Sequence, residues 1–213
     1  MSGTHVEYGW KDAGQKSSHE YLLPALEREL RAVSGGKPLR ILDVGCGNGY
    51  ITYRLAEMGH TVVGLDSSSD GVMAAREAYG TSDRLRFEVC SVYDDDLRDV
   101  AGGEVDCVVT LEVIEHLFLP GRLFEQSFSV LRPGGHIVLS TPYHGYLKNL
   151  AISVLDGWDH HWGVDWDGGH VKFFSRRTLE RMATAAGFRD LRFNGVGRVP
   201  GLWKSIFLTG VKP

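Results

Sequence analysis

Cysteine is scarce in this 213-residue chain: Cys46, Cys90 and Cys107 are the only three, and they stand far apart. No two of them have metal-finger spacing. They fall in expected core strands or beside a glycine-rich loop, so they read as buried, reduced thiols of a reducing compartment. Long apolar runs are missing too. The N-terminus carries no apolar signal core and no stretch approaches membrane-span length, which makes the cytoplasm the expected location. There is no basic excess either: 23 Lys and Arg stand against 27 Asp and Glu, a net charge of −4. Nucleic acid is therefore not an expected partner, although a local basic patch stays open. Repeats, low-complexity tracts and long linkers are absent. The remaining balance, 43% apolar and 23% charged, is that of an ordinary globular protein, and the length suits one domain with a substantial core.

Glycine, by contrast, is placed with purpose. In Ile41-Leu-Asp-Val-Gly-Cys-Gly-Asn-Gly-Tyr50 an apolar strand passes an acid and runs into three alternating glycines, and an amphipathic helix follows. Backbone without Cβ atoms turns tightly and lets a ligand approach closely. A dinucleotide loop would read G-x-G-x-x-G/A. Tyr50 stands where its last small residue belongs, so the loop has the wrong shape for a pyrophosphate turn. Asp43 disfavours a phosphate and favours a cationic ligand. A sulfonium cofactor with an amino-acid tail, S-adenosylmethionine, satisfies both observations. A second apolar run, Thr61-Val-Val-Gly-Leu65, ends at Asp66. That acid lies about 20 residues past the glycines, where open α/β sheets place the carboxylate that holds ribose hydroxyls.

On these two motifs the chain resembles the class I S-adenosylmethionine-dependent methyltransferases, over roughly residues 37–213. The resemblance implies a doubly wound, mostly parallel, Rossmann-like seven-stranded sheet with a reversed last strand. The expected cofactor contacts are Asp43, Gly45, Gly47, Asn48, Gly49, Asp66 and Ser67. Ser91 and Val92 would meet the adenine, with Leu111 on its other face.

The periodicities agree with an α/β fold. Expected strands are 40–44, 61–65, 85–89, 105–110 and 136–140, alternating with helices at 48–58, 69–79 and 120–131 and an acidic turn or short helix near 94–100. Pro133-Gly-Gly135 is read as stopping the fourth helix. A helix at 175–186 and a strand pair at 191–196 and 204–211 close the chain. Residues 1–36 divide into a polar segment, a disordered tail or a flap carrying Tyr8 and Trp10, and a helix over 19–33. Residues 142–172 hold no strand signal. Long connections without strands are usually functional, and this one is dense in Trp158, Trp162, Trp166, His160, His161 and His170. We read it as a helical lid insertion, with a helix near 145–155, that binds the acceptor.

The fourth strand ends in Thr110-Leu-Glu112-Val-Ile-Glu115-His116. On a helical turn Glu112, Glu115 and His116 would share a face, and such charge density calls for a proton, a cation or a metal. With His170, these residues form a candidate divalent-metal site, open to Mg, Mn, Fe, Co or Zn. The Glu-x-x-Glu-His pattern and the later His170 resemble two subfamilies at once: the small-RNA 3′-terminal ribose 2′-O-methyltransferases and the ubiquinone-pathway O-methyltransferases. That resemblance implicates Glu112, Glu115, His116 and His170 as metal ligands, with Glu115, His116 and His170 catalytic. The competing expectation is a metal-independent enzyme in which His116, or one of His144, His160 and His161, is the base. The leading expectation is O-methylation of a small hydroxylated acceptor: a phenol or catechol, a sugar, or a nucleoside-like molecule. RNA 3′-end methylation, an inactive cofactor-binding regulator and nicotinamide chemistry are the alternatives. The acidic run Asp94-Asp95-Asp96 reads as a solvated helix N-terminus.

Overall fold

The computed structural model describes Trp10, residues 12–162, Trp166 and residues 168–213, the side chain of His160 excepted. Tyr8 lies outside the described residues. Helix α1 (His19–Ser34) precedes an alternation of β1 (Arg40–Val44), α2 (Tyr50–Glu57), β2 (Thr61–Asp66), α3 (Ser69–Tyr79), β3 (Leu85–Val89), α4 (Leu97–Ala101), β4 (Val105–Leu111), α5 (Pro120–Val130) and β5 (Leu131–Pro142). The lid contributes α6 (Tyr146–Val154) and α7 (Trp158–Trp162), and α8 (Arg176–Ala185), β6 (Arg189–Val196) and β7 (Ser205–Val211) complete the fold. The seven strands lie in the order β3-β2-β1-β4-β5-β7-β6. The first five are parallel, whereas β7 runs antiparallel to both β5 and β6.

Strand alternation sorts the core into two layers. Leu42, Val44, Val63, Leu65, Val108 and Leu139 pack with Leu97, Leu123, Phe124, Leu179 and Phe188 on one face. Ile41, Val62, Cys107, Val109, Val138 and Phe207 pack with Leu22, Leu26, Leu30, Ile51 and Leu55 on the other. Burial on both faces explains why β4 and β7 read as mainly apolar runs. Helix α1 is fixed across the sheet by one buried carboxylate: Asn194 Nδ2 and Thr209 Oγ1 donate to Glu29 at 2.5 and 2.9 Å. All three cysteines are buried and free, and no described helix is long and apolar enough to cross a membrane.

One expectation about an element boundary needs correction. Pro133-Gly-Gly135 does not separate α5 from β5; the strand begins at Leu131 and includes all three residues. The strand pairing survives there, although Gly134 is left-handed with φ 75°, because Gly134 N donates to Lys212 O at 2.8 Å and Lys212 N to Gly135 O at 2.9 Å. The acidic run is, as expected, an exposed helix N-terminus. Asp96 caps α4 by accepting from Arg98 N, and Asp95 accepts from Ser91 N, at 2.9 and 2.8 Å.

Gly49 joins the fold to the site. It caps α2 with φ 78°, and a Cβ there would meet Ala75 Cβ at 2.5 Å and the Phe87 ring at 2.7 Å. Left-handed backbone and overpacking act together at this position. Gly49→Ala should destabilise the protein by about 2–4 kcal/mol, read as a lowered midpoint in urea unfolding; an unchanged midpoint would mean that the α2–α3–β3 junction is loose.

Candidate active site

Strand order reverses between β1 and β4, and ligands of open α/β sheets bind at the carboxyl ends of the strands around that switch. The expected residues gather there. Gly45 N and Cys46 N both donate to Leu65 O, at 2.7 and 2.9 Å. The carboxylate of Asp66 accepts from Gly47 N at 2.7 Å and from Ser68 N at 2.8 Å. The glycine loop is thus fastened to the end of β2. Asp43 lies beneath it, fully buried, and accepts from Thr52 Oγ1 at 2.6 Å. Burial pushes its carboxyl up to about 7, and the charge of Asp66 adds to the rise against the effect of Thr52. Ser91 and Val92 are buried beyond β3, Leu111 is half-buried at the end of β4, and Ser67 is exposed beside Asp66.

The chain before α1 packs onto this loop. A Cβ on Gly47 would strike the Trp10 ring at 2.6 Å, and Trp10 N donates to Asp70 at 2.9 Å. Asn48, expected at the cofactor, directs its amide to Asp12 O and Gly14 O, at 3.1 and 2.9 Å. Tyr79 OH donates to Ala13 O, and His19 stacks on Tyr50 with centroids 5.0 Å apart. Residues 12–18 are therefore tied down as a strap against the outer side of the glycine loop. Gly47 is small because of Trp10, and a bulky residue there would collide first with the strap.

At the other end of the site the four proposed metal ligands separate into three and one. Glu112 is not on the helical turn. It follows β4 with φ 55°, a conformation a non-glycine residue adopts at a cost of order 1–3 kcal/mol. Its carboxylate turns back to the sheet, accepting from Ser140 Oγ at 2.7 Å and Ser205 Oγ at 3.1 Å. Burial raises its pKa to about 7 against the pull of Ser140, Ser205 and Lys148. The turn itself is a 3-10 segment, Ile114–His116. There a carboxylate oxygen of Glu115 and one ring nitrogen each of His116 and His170 all lie within 4.8 Å of one another. Glu115 is fully buried. One oxygen accepts from Thr141 Oγ1 at 2.9 Å, the other has no protein partner, and burial followed by the Glu112 charge pushes the acid well above its ordinary range. The His116 and His170 rings meet edge to face at 4.9 Å. His116 Nδ1 lies 3.2 Å from Gly169 O, and Val171 N and Lys172 N donate to Glu115 O at 2.9 and 3.0 Å. Those bonds hold the His170 segment against the end of β4. A group with one unsatisfied buried acceptor and two imidazoles fits a divalent ion.

The lid encloses this end with rings. Trp162 lies 4.9 Å from His144, 4.6 Å from Phe173 and 4.6 Å from His161. Burial pushes the His144 and His170 imidazoles down to about 4, so both are neutral at pH 7. Phe173 also lines a groove of about 720 Å³ with Phe118, Leu119, Val171 and Met182. Residues that sequence reasoning did not assign to the site are Thr52, Ser140, Thr141, Ser205 and Lys148. Small hydroxyl residues inside strands carry no local signal that they face a carboxylate.

A sheet of this order with its last strand reversed is the class I methyltransferase architecture. Comparison with known proteins agrees: a family described as "Methyltransferase domain" matches residues 17–192, and the chain belongs to it. S-adenosylmethionine is accordingly the cofactor, and the buried acid under a loop fastened away from phosphate suits its cationic groups. The chain is 30% identical to a ubiquinone biosynthesis O-methyltransferase of Azorhizobium caulinodans over 83% of its own length and 69% of that protein's. It is 32% identical to the mitochondrial ubiquinone biosynthesis O-methyltransferase of Mus musculus over 85% of its length and 51% of the relative's. The chain thus spans between about half and two thirds of these relatives. Among solved structures it superposes on the magnesium protoporphyrin IX methyltransferase of Synechocystis PCC 6803 with a TM-score of 0.68 at 19% identity, covering 90% of this chain and 82% of that one. An S-adenosylmethionine-dependent methyltransferase from Mesorhizobium loti gives 0.67 at 19% identity, over 88% and 96%.

The raised acid Asp43 ties stability to pH. Unfolded, it titrates near the ordinary carboxylate value; folded, near 7. The stability it contributes is therefore full below the unfolded value and is lost as pH rises through 7. Relative to wild type, ligand-free Asp43→Asn should gain on the order of 2 kcal/mol in unfolding free energy between pH 5 and pH 8. Parallel urea-unfolding profiles of the two proteins across that range would show instead that Asp43 is ionised at no cost.

Proposed function

We propose that this protein transfers the methyl group of S-adenosylmethionine to a hydroxyl oxygen of a small ring-bearing acceptor, of the catechol-like kind, at the Glu115–His116–His170 group. The observation that carries this reading is the convergence of one half-satisfied buried carboxylate and two imidazoles within 4.8 Å beside the strand ends that hold the cofactor loop. The names of the ubiquinone-pathway relatives support oxygen as the atom methylated. A net charge of −4 favours a small acceptor over a polynucleotide. The groove beside Phe173 offers room for an apolar substituent.

The cofactor supplies, when bound, a methyl group on a sulfonium for in-line transfer to a nucleophilic oxygen. The protein must bring the acceptor hydroxyl to that methyl and take its proton. Asp66 and the glycine loop orient the donor. The neutral imidazoles of His116 and His170 are the groups able to take the hydroxyl proton, and Glu115, buried and raised, holds the acceptor at its unpartnered oxygen. A divalent ion in this group would supply Lewis-acid polarisation of the acceptor oxygen. The lid excludes water that would solvate the nucleophile. A second reading, in which a neutral imidazole alone is the base, is favoured by the lowered pKa values of His116 and His170.

The metal and the base-only readings separate by thermal denaturation with S-adenosylhomocysteine present while Mg, Mn, Co, Ni and Zn are titrated. A ligand bound only by the folded state raises Tm by mass action. A saturable shift is expected in wild type, lost in Glu115→Gln and His170→Ala and kept in Glu112→Gln, whose parent carboxylate faces Ser140 and Ser205. No shift with any metal would remove the ion and leave the imidazole base. Equal loss in Glu112→Gln would return Glu112 to the ligand set.

A further inference from the structure

Among the described lid residues three buried polar side-chain atoms have no partner in the protein, and two of them, in His144 and Trp162, belong to the same ring cluster. His144 stands two residues beyond the end of β5, so the sheet itself fixes its place next to the end of β4. Its Nδ1 is buried and unbonded, and so is Nε1 of Trp162. The two rings are 4.9 Å apart, and Phe173 meets both, at 5.1 Å from His144 and 4.6 Å from Trp162. Buried polar side-chain atoms are nearly always hydrogen-bonded, and leaving one unsatisfied costs about 1–3 kcal/mol. A pair of them among aromatic faces, on a segment that leaves the strand next to β4, is the composition of a ligand subsite: a few placed polar groups in an apolar wall.

We propose that His144 and Trp162 form a second polar subsite that recognises a further hydroxyl of a polyhydroxylated six-membered ring, in addition to the oxygens handled at Glu115, His116 and His170. This rests on the reading of that group as a hydroxyl-methylating centre. The indole N–H donates to the extra hydroxyl, and the imidazole nitrogen accepts from it or donates to it according to its tautomer. The ring face of Trp162 takes the flat face of the acceptor ring, and Phe173, inclined at 65° to Trp162, borders it. The acceptor is then more polar than a simple catechol, carrying at least three ring oxygens, and it is either aromatic or a sugar.

The test is calorimetric titration of the protein saturated with S-adenosylhomocysteine, using phenol, catechol, pyrogallol and methyl α-D-glucopyranoside as probes. Wild type should bind pyrogallol or the glycoside about 3- to 10-fold more tightly than catechol, the ratio expected of one additional hydrogen bond. Whichever of the two is preferred identifies the ring as aromatic or sugar. The advantage should disappear in Trp162→Phe and His144→Phe, with S-adenosylhomocysteine affinity unchanged. It should return in part in His144→Asn, which keeps a polar atom near the Nδ1 position. No preference for the third oxygen in wild type, or a preference that survives both Phe substitutions, would overturn the subsite while leaving catechol binding intact. Binding of S-adenosylhomocysteine but of none of the four probes would reject the hydroxyl-acceptor reading itself and the subsite with it.

Discussion

The fastening of the glycine loop to the end of β2 is the constraint on which the rest of the site depends. Three successive loop amides are committed to that strand end: Gly45 and Cys46 to the Leu65 carbonyl, Gly47 to the Asp66 carboxylate. A dinucleotide loop presents such amides to a pyrophosphate. Here they are already bonded, and the nearest fixed charges are those of Asp43 and Asp66. The loop therefore rejects an anion and leaves the short carboxylate-lined space that a cationic, phosphate-free cofactor needs. The wrong residue at Tyr50 and the right acid at Asp43 are two consequences of the same backbone arrangement. The strap adds to it from outside, since Trp10 fills the space that Gly47 leaves open.

Charge is distributed against the interests of stability, and in one place. Asp43, Glu112 and Glu115 are all pushed up by burial, and all lie at or near the carboxyl ends of β1 and β4. The layers elsewhere are apolar, and the other buried carboxylate described, Glu29, is satisfied by Asn194 and Thr209. Violations of the packing rules that cluster at one end of a sheet mark a functional site. Each of these acids becomes comfortable when a proton or a cation arrives, so ligand binding and folding stability are linked there. The left-handed Glu112 belongs to the same pattern: the strained residue turns β4 toward the 3-10 segment and so aims Glu115 and His116 inward.

Most of the sheet was legible because its signals are local. β1, β3 and α3 occupy the expected residues, each an apolar period closed by Gly, Asp or a charged turn. Where long-range hydrogen bonds decide, reading the sequence failed. Pro133-Gly-Gly135 looks like a stop, but its backbone is paired with Lys212 from the far end of the chain. Asn48 sits in a cofactor motif, yet its amide meets Asp12 and Gly14. Glu112, Glu115 and His116 have helical spacing, but the chain reaches Glu112 as the last step of a strand, and two serines from β5 and β7 claim its carboxylate. His170 is the opposite case: 54 residues beyond His116, it was placed by resemblance, and the backbone bonds from Val171 and Lys172 to Glu115 supply the physical reason it arrives.

The division of labour between sheet and lid bears on how such a fold changes acceptor. Glu115 and His116 follow β4, and His144 follows β5, so their positions are set by strands that neither a longer nor a shorter lid would move. Trp162, His170 and Phe173 come from the connection between β5 and α8, whose helix α6 buries none of its residues. On the proposed reading, Glu115 and His116 act from the rigid layer, while His170 comes from the connection and is held there by the bonds of Val171 and Lys172 to Glu115. Substitutions in 146–162 can reshape the ring-binding wall without disturbing the acid and imidazole that face the reacting oxygen.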